Sequence, residues 1–230
     1  MTVGGFRALA SDRKPIVIFL VAAVILFIVG KLASEVLEGE SFALDQRIML
    51  ALRTPGDLAQ PIGPHWLLAT MRDITAFGGV TALTFMTVLA AGGLMAIRNV
   101  RTAVFVIVAV SIGASLGSWL KTIFLRPRPD VVPHLVDVSN TSFPSGHAMN
   151  SAIVFLTLAT LIARTQPDRP VRIYIQGAAI VLSLLIGVSR IYLGVHWPSD
   201  VVAGWCVGAL WATLCSLVFH GAISTSDARN

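Results

Sequence analysis

The stretch TAVFVIVAVSIGASLGSWL, residues 102–120, carries no titratable side chain and is fenced by Arg101 on one side and Lys121 on the other. At a helical rise of about 1.5 Å per residue, such a run crosses the roughly 30 Å hydrocarbon core of a bilayer. It has no period-two alternation, which speaks for a helix and against a barrel strand. Working outward, uninterrupted apolar runs recur at Pro15–Gly30, Ile74–Ile97, Ala148–Ala163, Ile173–Ser189 and Val201–Phe219. Lys31 and Arg164 end the two short runs, where their long stems can reach the interface and lengthen the effective span. The expectation is an all-α polytopic membrane helix bundle of six transmembrane helices, at about 15–33, 74–97, 102–120, 147–163, 172–189 and 199–219, forming one integral membrane domain over residues 1–230.

Composition points the same way. Only 13% of the 230 residues are charged while 55% are hydrophobic, too few charges to clothe a soluble globule without large exposed apolar patches. Disorder is excluded on the same ground. The net charge of +5 does not indicate nucleic acid, because the basic residues are scattered singly or in pairs and form no stripe along which phosphates could run. Cys206 and Cys215 fall on opposite faces of one predicted helix, about 13 Å apart along its axis, too far to bridge.

The first span follows Arg7, Arg13 and Lys14, as a secretory signal would, but Lys31-Leu32-Ala33-Ser34 after it is a poor cleavage site, so it reads as an anchor. With the N-terminus inside, nine of the 17 cations fall on the cytoplasmic side and eight on the other. Three of those eight have a chemical reason to be there, described next, which restores a positive-inside bias. Both termini are then cytoplasmic, in what reads as a bacterial inner membrane. Between the first two spans, Leu44, Ile48 and Leu52 recur at helical spacing until Thr54-Pro55-Gly56 ends the pattern, predicting an amphipathic helix in the interface, with a second interfacial element near Trp66. Gly113-xxx-Gly117 and Gly204-xxx-Gly208 predict close helix packing. His65 and His220 are read as interfacial, and Asp130, His134 and Asp137 as solvated loop residues.

Polar residues gather at span ends on one predicted side: Lys121 to Pro129, Ser142 to His147, and Ser189 to Asp200. Lys121, Arg128 and Arg190 supply three cations, two of them guanidinium forks that match phosphate oxygens. Ser145 and Gly146 open the fourth span, where helix N-terminal N–H groups bind anions. His147 and His196 are the groups able to transfer a proton or attack near neutral pH. Asp200, four residues after His196, can accept the imidazole Nδ1–H and leave Nε2 free. His196 is then the nucleophile toward phosphorus and His147 the acid for the departing alkoxide. A cluster dominated by cations does not invite a metal, and no cofactor is expected.

These three stretches resemble, in order and spacing, the signature of the type 2 phosphatidic acid phosphatase superfamily: K-x6-RP at Lys121, Arg128 and Pro129; PSGH at Pro144 to His147; SR-x5-H-x3-D at Ser189, Arg190, His196 and Asp200. The resemblance implies a six-helix, metal-independent membrane phosphatase acting on lipid phosphate or diphosphate esters at the outer leaflet, with His196 as nucleophile and His147 as acid. Arg126, in a second Arg-Pro pair, leaves open which arginine reaches phosphate, although spacing favours Arg128. Three functions fit the residues: a lipid phosphatase or diphosphatase, a lipid phosphotransferase, and a non-catalytic anion binder or transporter. The pairing of His196 with Asp200 argues against the last. Undecaprenyl diphosphate or a phospholipid phosphate is the expected substrate, a membrane lipid being the expected partner.

Overall fold

Helices make up most of the described chain because its long apolar segments can satisfy their backbone groups internally. In a computed structural model, the backbone is described for residues 3–38, 43–138 and 141–227, and side chains for 19–38, 43–138 and 141–219. In order the elements are α1 (Val3–Leu37), α2 (Ala43–Ala51), β1 (Arg53–Thr54), β2 (Asp57–Pro61), α3 (His65–Ala76), α4 (Val80–Ala96), α5 (Val100–Phe124), α6 (Gly146–Thr165), α7 (Arg169–Tyr192) and α8 (Pro198–Asp227). Five helices are long and apolar enough to cross a bilayer, and the bent pair α3 and α4 makes a sixth span. His220 lies outside the residues with described side chains.

The bundle is built around α6. More than half of its span is buried, whereas among the described α1 side chains only Val36 is. Ala148, Ala152, Ala159 and Ala163 line its buried side, and glycines face it from α8. A Cβ on Gly204 would lie 2.7 Å from the Ser145 carbonyl oxygen, and one on Gly208 would lie 2.5 Å from that of Met149. Without side chains there, the two backbones meet directly, the packing expected of small residues inside a membrane. On the α5 side, Gly113 leaves room for Ile153 and Trp211.

The second span departs from expectation. In place of one helix over 74–97, α3 runs to Ala76 and α4 begins at Val80, with a 49° bend between them. The break falls at Gly78 and Gly79, and a Cβ on Gly78 would lie 2.4 Å from Ile186 and 3.3 Å from the His147 ring. The chain bends where it can pass this close to both residues. Downstream, α7 extends past the expected 172–189 at both ends, to Arg169 and Tyr192.

The segment between the first two spans contains the expected short helix, which docks on the protein through a face other than its apolar stripe. Asp45 and Met49 are the buried residues of α2, while Leu44 is 68% exposed. After α2 the chain forms a two-stranded antiparallel ribbon, β1 with β2, that the alternation-free sequence did not signal. The ribbon, residues 125–138 and 141–145, and the end of α7 close over one end of the bundle. There Tyr192, Leu193 and Val195 form a buried cluster with Leu52, Leu67, Met71 and Leu135 around it.

Candidate active site

The connection from α7 to α8 is only five residues long, and it turns at Gly194, whose φ of +79° is left-handed. A side chain there would also meet Arg53 and the Pro133 carbonyl, so glycine is required twice over. The turn delivers His196 into the interior, 2% exposed. Its Nδ1 lies 3.5 Å from Asp200 Oδ2 and 3.4 Å from Ser142 Oγ. Its Nε2 faces the opposite way, 3.3 Å from Arg128 Nη1. This arrangement favours the tautomer protonated on Nδ1, with the Nε2 lone pair turned to the cations. The Asp200 contact is longer than a tight hydrogen bond, as catalytic contacts often are before substrate binds.

Asp200 is fully buried in the first turn of α8. Oδ2 accepts the Trp197 backbone N–H at 2.9 Å and the Ser142 hydroxyl, and Oδ1 accepts Arg126 Nη1 at 2.6 Å. The Trp197 bond is the back-reaching half of a capping box, made by a carboxylate at the third helical position.

The three predicted cations lie at this end of the bundle, with Arg128 the one beside Nε2. Lys121, in the last turn of α5, donates to the Thr141 carbonyl at 2.5 Å. Arg128 donates to the Val195 carbonyl at 2.6 Å. Arg190, 4% exposed, donates to the Thr75 hydroxyl at 3.0 Å, and its buried Nε has no partner. Neutral acceptors hold Lys121 and Arg190, so their charge stays available to an anion. Burial lowers the Arg128 guanidinium below its ordinary value, with the Asp200 charge acting the other way. Burial likewise lowers the His196 imidazole to about 4; Asp200 opposes this, while Arg128 and Arg190 add to it. A nucleophile lowered this far carries a free lone pair across the physiological range.

Ser145 and Gly146 sit where α6 begins, after a cis Phe143–Pro144 bond. The Ser145 backbone N–H is bound to the Asp200 carbonyl at 3.0 Å, which joins the starts of α6 and α8. The Ser145 hydroxyl is buried without a partner. The first N–H groups of a helix have no acceptor within it, and here they open next to Lys121. His147 follows in the first turn, packed against Gly78 at the α3–α4 break.

The structure thus gathers all eight predicted residues at one end of the bundle. It also recruits residues that local spacing did not mark. Ser142 bridges His196 and Asp200. Thr75 tethers Arg190 from the end of α3. Arg126, left open as a second phosphate ligand, instead directs its guanidinium to Asp200, Ser199 and Asp45. Asp130 and Asp137 are exposed, and His134 Nε2 contacts the Pro129 carbonyl at 2.7 Å. Among the described residues no group of three or more His, Cys, Asp or Glu is placed to hold a metal.

Comparison with known proteins supports the motif reading. A family model described as the PAP2 superfamily matches residues 101–224. Phosphatidylglycerophosphatase B of Bacillus subtilis (strain 168) is 34% identical over 148 residues, 63% of this chain and 71% of that protein. An undecaprenyl-diphosphatase of Sulfolobus acidocaldarius is 34% identical over 125 residues, 52% of this chain and 56% of that protein. The crystal structure of a transmembrane PAP2 type phosphatidylglycerolphosphate phosphatase from Bacillus subtilis superposes with a TM-score of 0.75 at 28% identity, covering 91% of this chain and 97% of that one.

Proposed function

Since this chain belongs to the PAP2 superfamily and is a membrane lipid phosphatase, we propose that it hydrolyses a lipid phosphate through a phosphohistidine on His196, without a metal, as one integral membrane domain. The observation that carries the mechanism is the two-sided setting of His196: Nδ1 toward Asp200 and Ser142, Nε2 toward Arg128. Nε2 attacks phosphorus as the bond to the lipid oxygen breaks, and His147 gives that oxygen its proton. Water then attacks the phosphohistidine, His147 takes its proton, and the P–N bond breaks to release orthophosphate. Lys121, Arg128, Arg190, the Ser145 hydroxyl and the N-terminal N–H groups of α6 stabilise the charge on the equatorial oxygens.

Two adjoining cavities suit a lipid substrate. One of about 650 Å³ is bordered by Lys121, Arg128 and Thr141; one of about 410 Å³ is lined mainly by apolar residues of α4, α5 and α6, including Leu83, Val110 and Ile153. Both are lined by Ser118, so a headgroup at the cations can continue into a chain between the helices. Phosphatidylglycerol phosphate is our first candidate, because the relatives named for it share the larger part of this fold; undecaprenyl diphosphate is the second. We read the site as lying on the outer face of a bacterial inner membrane with both termini inside, a reading the cation distribution supports once the three site cations are set aside. The test is purified protein against phosphatidylglycerol phosphate, phosphatidic acid, undecaprenyl diphosphate and a lipid A phosphate in EDTA. Orthophosphate release, highest with the first, is expected. Transfer of label to a second lipid would make the enzyme a phosphotransferase, and activity restored only by magnesium would contradict the metal-free site.

A further inference from the structure

We propose that Asp45 and Arg126 are positioning residues for phosphoryl transfer: they fix the Asp200 carboxylate, and through it the His196 imidazole, and so tie the interfacial helix α2 to catalysis. This rests on reading His196 as the nucleophile and Asp200 as its partner.

Arg126 borders the cavity beside Lys121 and Arg128, yet its guanidinium is engaged behind the nucleophile. Nη1 donates to Asp200 Oδ1 at 2.6 Å and to Ser199 Oγ at 2.8 Å, and Nη2 donates to Asp45 Oδ2 at 3.2 Å. Its charge also lies over the Trp197 ring, 5.5 Å from the centroid. Asp45 completes the chain of contacts. Its Oδ1 accepts the Ser199 backbone N–H at 2.9 Å and its Oδ2 the Ser199 hydroxyl. A residue 154 positions earlier in the sequence thus caps the N-terminus of α8, the helix that carries Asp200.

The consequence for His196 is geometric. A carboxylate held at one oxygen can still rotate; Asp200 is held at both, by Arg126 on Oδ1 and by Trp197 and Ser142 on Oδ2. Oδ2 is the carboxylate oxygen that faces Nδ1, and the Arg126 bond keeps Oδ1 turned away from the imidazole. Asp45 in turn fixes the second arm of the guanidinium fork. All three side chains are buried, so their contacts escape the screening that weakens surface ion pairs. Met49, one turn on from Asp45, packs with Trp197 and Val132, while Leu44 on the same helix is exposed. Displacing α2 would therefore displace the support of Asp200.

The test uses the full chain in lipid nanodiscs, with phosphatidic acid as substrate and orthovanadate as a probe of the phosphate pocket. Arg126→Gln and Asp45→Asn are made alone and on Asp200→Asn. Alone, Arg126→Gln is expected to lower kcat about 30-fold and Asp45→Asn about 10-fold, with KM and the vanadate inhibition constant within about threefold of wild type. On Asp200→Asn the same changes are expected to cost less than about threefold more, because their effect passes through that carboxylate. Equal losses in both backgrounds would overturn the proposal alone, as would a loss confined to KM and vanadate binding, which would make Arg126 a phosphate ligand. Wild-type kcat in Asp200→Asn itself would overturn the underlying mechanism as well. If a charge variant does not fold, Ser199→Ala carries the same test: it removes the hydroxyl that touches both Arg126 and Asp45, and is expected to lower kcat about threefold, again only when Asp200 is intact.

Discussion

Two helices begin at the active site, and their N-termini are treated in opposite ways. At α6 the buried Ser145 hydroxyl has no partner, and the first N–H groups open beside Lys121. At α8 every visible polar group is used: Asp45 takes the Ser199 N–H and hydroxyl, and Asp200 takes the Trp197 N–H. A helix N-terminus is an anion site in both cases. The difference lies in where the anion comes from. The protein supplies its own carboxylates to α8, which then holds the nucleophile rigid, and leaves α6 unsatisfied for the substrate to complete. The Ser145 N–H to Asp200 carbonyl hydrogen bond at 3.0 Å joins the two termini, alongside the close packing at Gly204.

The contrast can be broken first at the closed terminus. Asp200→Asn keeps the shape but reverses one donor and acceptor relation and leaves Arg126 with one carboxylate fewer. We expect kcat to fall by about 10² to 10⁴, as when the acidic partner of a catalytic histidine is neutralised, with KM little changed. A comparable rise in KM would mean that Asp200 serves substrate binding.

At the open terminus the effect is smaller and of another kind. Ser145→Ala removes a hydroxyl that makes no bond in the free protein, so the thermal midpoint in detergent should stay within about 2 °C of wild type. Turnover should fall about tenfold, because the substrate loses one donor. A large loss of stability would show that Ser145 serves the fold instead.

The smallest effect concerns pH. His196 is lowered to about 4, so its protonation should set the acid limb of kcat/KM near that value, with activity lost as pH falls through it. Burial sets the limb first, with Asp200 raising it and Arg128 and Arg190 lowering it. Arg128→Gln removes a cation 3.3 Å from Nε2. Protonation then becomes easier, and the limb should move to higher pH by about one unit. A limb unmoved by Arg128→Gln would detach it from His196.

Much of the substrate side was legible in the sequence because its chemistry is local. Pro144, Ser145, Gly146 and His147 are consecutive, and His196 and Asp200 straddle a proline that starts a helix. The support side was not. Asp45 reaches Ser199 across 154 residues, and its neighbourhood read as an amphipathic helix by its apolar stripe, whereas the face that docks is Asp45 and Met49. Arg126 differs from Arg128 only by two positions in a repeated Arg-Pro pair, and spacing carries no information on which way a guanidinium turns. The six apolar runs gave the spans, but the bend at Gly78 depends on Ile186 and His147 approaching from other helices.

The most direct test of the central claim is chemical trapping. Protein incubated in EDTA with a lipid bearing a ³²P-labelled terminal phosphate is quenched in alkali, where phosphohistidine survives and phosphoserine esters are distinguishable by their acid stability. The labelled peptide is expected to contain His196, and His196→Ala is expected to give no label and no orthophosphate while remaining folded in the membrane. Label on another residue, or turnover retained in His196→Ala, would contradict the phosphohistidine mechanism.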